Sequence, residues 1–221
     1  VLADQRCDSG SFVSGFDRDG KILCDPSGDA GSNASGGPSS PDCTARGSGV
    51  NLRGCDFRNA DLRDANLRNA ILIGADLERA ELNRADLSGA ILTDTVLRRA
   101  ELVGADLSEA DLRGADLSST GLTDADLTDA TLTGADLSDS VMINVRLNGA
   151  DLTMSDLRQT NLNDADLNQA VLRFADLTEA DLEDSSMSGA AIGGAIWDDT
   201  TCPDGTNSNN NANTCKDNLR K

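Results

Sequence analysis

The sequence lacks the usual material of a globular core. It has no tyrosine, one tryptophan and four phenylalanines in 221 residues. A conventional core leans on aromatic and β-branched side chains, so this one must be packed in another way. There is no histidine. There is no GxSxG, no phosphate-binding glycine loop and no nucleophile beside a base. Catalysis therefore has no candidate residues, and nothing calls for a cofactor. No stretch approaches the ~20 consecutive apolar residues of a membrane-spanning helix. Bases are scarce: 19 Lys and Arg stand against 38 Asp and Glu, for a net charge of −19. That balance disfavours direct binding to nucleic acid or to an anionic membrane. It favours basic partners, cations or plain solubility. Few aromatics and a high net charge are also the composition of disorder. A strict leucine repeat argues against disorder over most of the chain.

Six cysteines fall at Cys7, Cys24, Cys43, Cys55, Cys202 and Cys215. An even number fits disulfides and an oxidising compartment, secreted or periplasmic. Zinc would need CxxC or Cys/His spacing, and neither occurs. Proximity along the chain favours Cys7–Cys24, Cys43–Cys55 and Cys202–Cys215. Cys55 has a second reading, as a buried free thiol in place of alanine. The opening "VLADQRCDSG" fits the mature end left by removal of a signal peptide, although a trimmed chain would look the same.

Four segments follow from composition. Residues 1–25 hold two short apolar runs, "SFVSGF" and "KILC", around the turn signal "DRDG". They predict a small hairpin closed by Cys7–Cys24. Residues 26–49, with "PSGDAGSNASGGPSSPD", read as a flexible linker. Residues 50–199 are a repeat, and residues 200–221 a polar tail with a disulfide loop.

The repeat has a period of five. Its central residue returns at every fifth position from 52 to 197, giving thirty units without insertion or deletion. Leucine fills most centres; Phe57, Met142, Met187, Ile192 and Trp197 fill the rest. Two residues before each centre the chain is nearly always small. A helix repeats at 3.6 and a strand at 2.0, so neither explains this spacing. A coil with four sides does. Each unit forms one side and turns a corner, and four units close a coil of twenty residues. Leucine and the small residue point inward, while the other three face water. Coils stacked at the ~4.8 Å of paired strands would make a rod roughly 36 Å long.

The units "ADLRD", "ADLSE" and "ADLTD" resemble the A-D-L-x-x consensus of the pentapeptide-repeat family. The resemblance covers about two thirds of the chain. It implies an all-β fold, a right-handed quadrilateral β-helix. Such a rod needs capped ends. Trp197 is the last centre and can close the bottom. A Cys43–Cys55 bond can staple the linker over the top.

Position along the twenty-residue coil assigns outward residues to faces. The residue before the centre builds a ladder of Asp56, Asp76, Asp116, Asp136, Asp156 and Asp176, broken by Val96. The opposite face carries Asn66, Asp86, Asp106, Asp126 and Asp166, with Arg146 interrupting. These carboxylates either form an acidic recognition surface or bond to backbone at the corners, as Asp does in turns. A third face carries Ile71, Ile73 and Ile91 near the start and Met154, Val171 and Phe174 near the end. These six form a candidate interface for a protein partner or for self-association. Charge is uneven along the axis: residues 51–100 balance, whereas residues 101–197 carry a net charge of −15. Arg53, Arg58, Arg63 and Arg68 crown the first coil.

The expected function is a non-enzymatic, exported scaffold or protein-binding module with a rigid acidic surface. The resemblance also implies an alternative, a DNA-mimicking topoisomerase-binding protein, which other family members are. A further alternative is a structural protein that assembles end to end into filaments. Calcium is a weak expectation. Asp17, Asp19 and Asp204, with Asn207 and Asn209, supply oxygens, but neither loop completes an EF-hand.

Overall fold

The computed structural model describes residues 12–16, 22–25, 43, 45, 47–211, 214 and 215. Strands β1 (Phe12–Phe16) and β2 (Ile22–Asp25) pair antiparallel, with Phe12 opposite Asp25, Phe16 opposite Ile22 and an irregularity between Val13 and Gly15. This is the hairpin expected around "DRDG". The expected Cys7–Cys24 bridge and the weak calcium ligands Asp17 and Asp19 involve positions outside the described residues.

Among the described residues, β1 and β2 are the only continuous strands. The repeat is built instead from single parallel bridges spaced twenty residues apart. Asn51 pairs with Ile71, Ile71 with Ile91, and Asp56 with Asp76, down to Asp181 with Thr201. A five-residue side is too short for a regular strand. It contributes one bridge and then turns.

The turn explains the period. From Leu52 to Ile192 each centre's carbonyl accepts the N–H three residues later, as Phe57 does from Ala60 at 3.0 Å and Leu82 from Ala85 at 3.0 Å. The third residue of every such corner, from Gly54 through Asp199, has positive φ, between 53° and 79°. Positive φ at that place alone is the type II pattern. Glycine would suit it, yet most corners carry another residue. Each of those costs on the order of 1 kcal/mol of backbone strain, which the stacked coils must offset.

Packing supplies the offset. Centres from Leu72 to Leu182 are fully buried, and the small residues line the core beside them. Between coils, a centre's N–H donates to a carbonyl of the next coil, as from Leu52 to Ile71 at 2.7 Å. The corner N–H donates down as well, from Gly54 to Ile73 at 3.0 Å. The residue before the centre donates up, from Ile71 to Val50 at 2.8 Å. Dispersion between stacked leucines and a continuous ladder replace the missing aromatics.

Both ends are stapled. Cys43 bonds Cys55, which occupies a small inward position of the first coil and is buried. At the bottom the register runs one unit beyond the thirty. Cys202 takes the leucine place, fully buried, and Leu182 N–H still donates to Thr201 at 3.0 Å. The next corner then changes. Gly205, not Asp204, has positive φ, and its N–H bonds the Cys202 carbonyl at 2.8 Å. Pro203 and Asp204 make a type I turn followed by a left-handed glycine, the three-residue hairpin loop. The chain reverses, Thr201 pairs antiparallel with Asn207, and Cys202 N–H donates to Thr206 at 2.7 Å. Here an antiparallel segment covers an open edge of the rod. A 3-10 helix (Ser208–Asn211) follows, Ser208 Oγ bonds the Trp197 carbonyl, and Cys215 bonds Cys202. Trp197 is buried, as its place at the end of the core predicts.

Candidate interaction surface

In the units between residues 71 and 185, which have a coil above and below, four of the five N–H groups bond to backbone: the centre, the corner, the small residue and the residue before the centre. The fifth, just after the centre, has no backbone partner. The Asp or Asn before the centre supplies one. All six ladder carboxylates do so, Asp56 to Arg58 N–H (3.1 Å), Asp76 to Glu78 (3.0 Å), Asp116 to Ser118 (3.2 Å), Asp136 to Ser138 (3.0 Å), Asp156 to Arg158 (3.1 Å) and Asp176 to Thr178 (3.0 Å). On the opposite face Asn66, Asp86, Asp106, Asp126 and Asp166 do the same. The acid pattern is therefore a set of corner caps first. A part-buried cap such as Asp136 on Ser138 is worth about 1 kcal/mol net.

Two exceptions support this reading. Glu101 and Ser186 stand where Asp usually does. In those units the N–H of Val103 and of Ser188 bonds an asparagine one coil above, Asn83 Oδ1 at 2.8 Å and Asn168 Oδ1 at 2.7 Å.

Side chains after the centre complete many caps. Ser118, Ser138 and Thr178 donate their hydroxyls to the same carboxylates. Arg58 lies on Asp56 and Arg158 on Asp156 through paired N–H donors. The Arg58 contact draws the Asp56 carboxyl down to about 2. Arg158 likewise holds Asp156 below the usual range, against partial burial that pushes the other way. Of the arginine crown, Arg58, Arg63 and Arg68 pair with Asp56, Asp76, Asp61, Glu81 and Asp86.

The candidate interface divides. Ile71, Ile73, Ile91 and Val171 are half-buried between coils. Met154 and Phe174 stand out, 64% and 61% exposed. The sequence reading missed Ile196, 51% exposed, which sits in the place usually held by Asp. It also missed Val103 and Val141 on another face. Asp204 accepts the Thr206 N–H and hydroxyl within its turn, and Asn207 donates to Asp199. Among the described residues no cluster of three or more acids or cysteines is placed to hold a metal, and no helix is long and apolar enough to cross a membrane.

Solved structures resemble the chain. HetL, a pentapeptide repeat protein involved in heterocyst differentiation regulation in the cyanobacterium Nostoc sp. strain PCC 7120, is 28% identical over 72% of this chain and 90% of its own, with a TM-score of 0.29. A thylakoid-lumen pentapeptide repeat protein of Arabidopsis thaliana is 30% identical over 49% of this chain and 72% of its own, with a TM-score of 0.29. QnrB1, a plasmid-mediated fluoroquinolone resistance protein, is 18% identical over 65% of this chain and 80% of its own, with a TM-score of 0.39. No curated protein matches. The family described as Pentapeptide repeats matches in 8 copies, over residues 48–83, 80–118, 122–159 and 150–189. With the period, the corners and more than half of the sequence in agreement, the chain belongs to the pentapeptide-repeat family.

Proposed function

We propose that the protein is a non-enzymatic, exported scaffold, a binding module that offers a rigid acidic rod to a protein partner. The observation that carries this reading is the internal use of the carboxylates. Their engagement in corner caps fixes the rod. Disulfides at both ends of the rod favour an oxidising compartment. A DNA-mimicking topoisomerase binder is the second reading, and the acid excess of residues 101–197 favours it. Disulfides weigh against it, because gyrase is a target of the reducing cytoplasm. End-to-end assembly is less favoured, since three crown arginines are already paired within the rod.

Thiol titration of protein freshly isolated from its native source tests the compartment. The expected result is no free thiol, and six reduced cysteines would overturn export. Crosslinking in intact cells of that source tests the binding role. One recurrent protein partner is expected, and recovery of the rod always alone would overturn it.

A further inference from the structure

All corners share the left-handed backbone, and their residues divide by chemistry. Apart from glycine they are Asn, Asp, Arg, Glu, Gln or Ser, with two exceptions, Met154 (φ 59°) and Phe174 (φ 58°). These two lie on the same corner in consecutive coils. Each carries two penalties. A bulky side chain is disfavoured at positive φ, and a large apolar side chain is held in water. Glycine or asparagine would remove both.

The rest of that corner is unusual too. Above Met154 it holds Gly54, Gly74, Asp94, Gly114 and Gly134, and below Phe174 it holds Gly194. No other corner is so rich in glycine. A Cβ on Gly134 would meet nothing, so bare backbone lies open just above Met154. A Cβ on Gly194 would lie 2.5 Å from the Phe174 ring, so the ring rests across that glycine. The ridge is thus a shelf that admits close approach, ending in an apolar knob with Ile196 beside it.

The flank carrying Ile196 is acidic. Asp139, Asp176, Glu179 and Asp198 lie on that side, and among the described residues none forms an ion pair with a base. Arg158 is folded onto Asp156 at 2.5 Å. One base, Arg173, stands on the other flank. A second copy of the chain would bring the same −15 lower half against this one, and like charges repel.

Resting on the reading of the rod as a protein-binding module, we propose that the Met154–Phe174 ridge, with Ile196, docks a basic segment of another protein that carries aliphatic side chains. The apolar knob anchors it, the glycine shelf lets its backbone approach, and the acids select its charge.

Glycine substitutions test this without threatening the fold, because the corner backbone already suits glycine. The probe is a labelled peptide of alternating lysine and leucine, followed by fluorescence anisotropy. The wild-type rod should bind it. M154G/F174G should bind it about tenfold more weakly or worse, while melting at the same or a higher temperature. E109G, at a polar corner elsewhere, should bind like wild type. A peptide of alternating glutamate and leucine should not bind. Equal affinity of wild type and M154G/F174G for the lysine peptide would overturn the proposal, as would equal binding of the glutamate peptide. So would a wild-type dimer in sedimentation that the double variant dissolves, because the occupant would then be a second copy. The two levels separate in the cell: a partner crosslinked equally by wild type and M154G/F174G would leave the binding module standing and remove the ridge.

Discussion

The upper and lower coils share one core and differ in what their surfaces do with charge. In the upper coils arginine answers acid at short range. Arg84 bonds Asp64 at 2.7 Å one coil above, Arg63 bridges Asp61 and Glu81, and Arg98 reaches Glu78 and Asp116. In the lower coils only Arg113, Arg146 and Arg158 pair in this way, with Asp111, Asp126 and Asp156. Asp139, Asp176, Glu179 and Asp198, on the flank beside the exposed Met154 and Phe174, have no base paired to them among the described residues. One repeating unit thus yields two surfaces, because the cap needs only the carboxylate before the centre. The residues after it are free to neutralise that charge or to leave it. The upper coils pair most of their arginines with acids, and among the described residues the lower coils leave most of their acids without a base.

The largest effect should ignore this division. Leu82→Asp and Leu127→Asp each bury an unpaired charge at a fully buried centre and should cost several kcal/mol alike. Denaturant unfolding measures both. A variant that unfolds like wild type would show that its half lacks the continuous core.

The ends come next. The bridges span 12 and 13 residues, so losing either should cost about 3 kcal/mol. The effect of C202A/C215A should be larger than that of C43A/C55A. Cys202 fills a leucine place as well as closing a loop, whereas Cys55 fills an alanine place. Thermal melts of the two double variants decide the order, and a milder C202A/C215A would contradict the extended register.

Acid should unfold the rod by releasing caps. The carboxyls of Asp56, Asp111 and Asp156 are held low in the folded state by arginine contacts. A lowered folded value means that the unfolded chain binds more protons as pH falls. Stability is therefore fully present above the ordinary carboxylate range near ~4 and declines toward about 2, the value for Asp56. Circular dichroism against pH should show no change from neutrality to about 4 and a loss below it. A transition near neutrality would contradict caps made by carboxylates.

Surface charge should give the smallest effects and opposite signs in the two halves. Arg84→Ala removes an exposed pair with Asp64 and should destabilise slightly. Asp139→Asn relieves repulsion in the acidic half and should stabilise by a few tenths of a kcal/mol at low salt, fading as salt rises. Melting curves at two salt concentrations check this. Effects of the same sign would remove the contrast between the halves.

Much of the rod was legible because the period is strict and every leucine has one place to go. The corners were not. Arg79, Glu109 and Phe174 give no local sign of positive φ, and only the closure of the coil forces them into it. Cys202 was hidden because "TTCPDGT" contains neither the alanine nor the leucine of the motif. Counting by five would have placed it in the core. Of the candidate interface, Met154 and Phe174 were legible as apolar breaks in a polar position. Ile71, Ile73 and Ile91 looked similar, yet the ladder half-buries the position before the centre and the one after it. Ile196 was overlooked beside Trp197, although it replaces an expected Asp.

The central claim is that the acids serve the corners before they serve recognition. Amide hydrogen exchange in Asp136→Ala tests it most directly. In the wild type, Ser138 N–H bonds Asp136 at 3.0 Å and should exchange slowly. Ile143 follows Val141, has no such cap among the described residues and should exchange fast. The substitution should bring Ser138 to the rate of Ile143 and leave the centre amides of Leu132 and Leu137 protected. Unchanged protection at Ser138 would contradict the account.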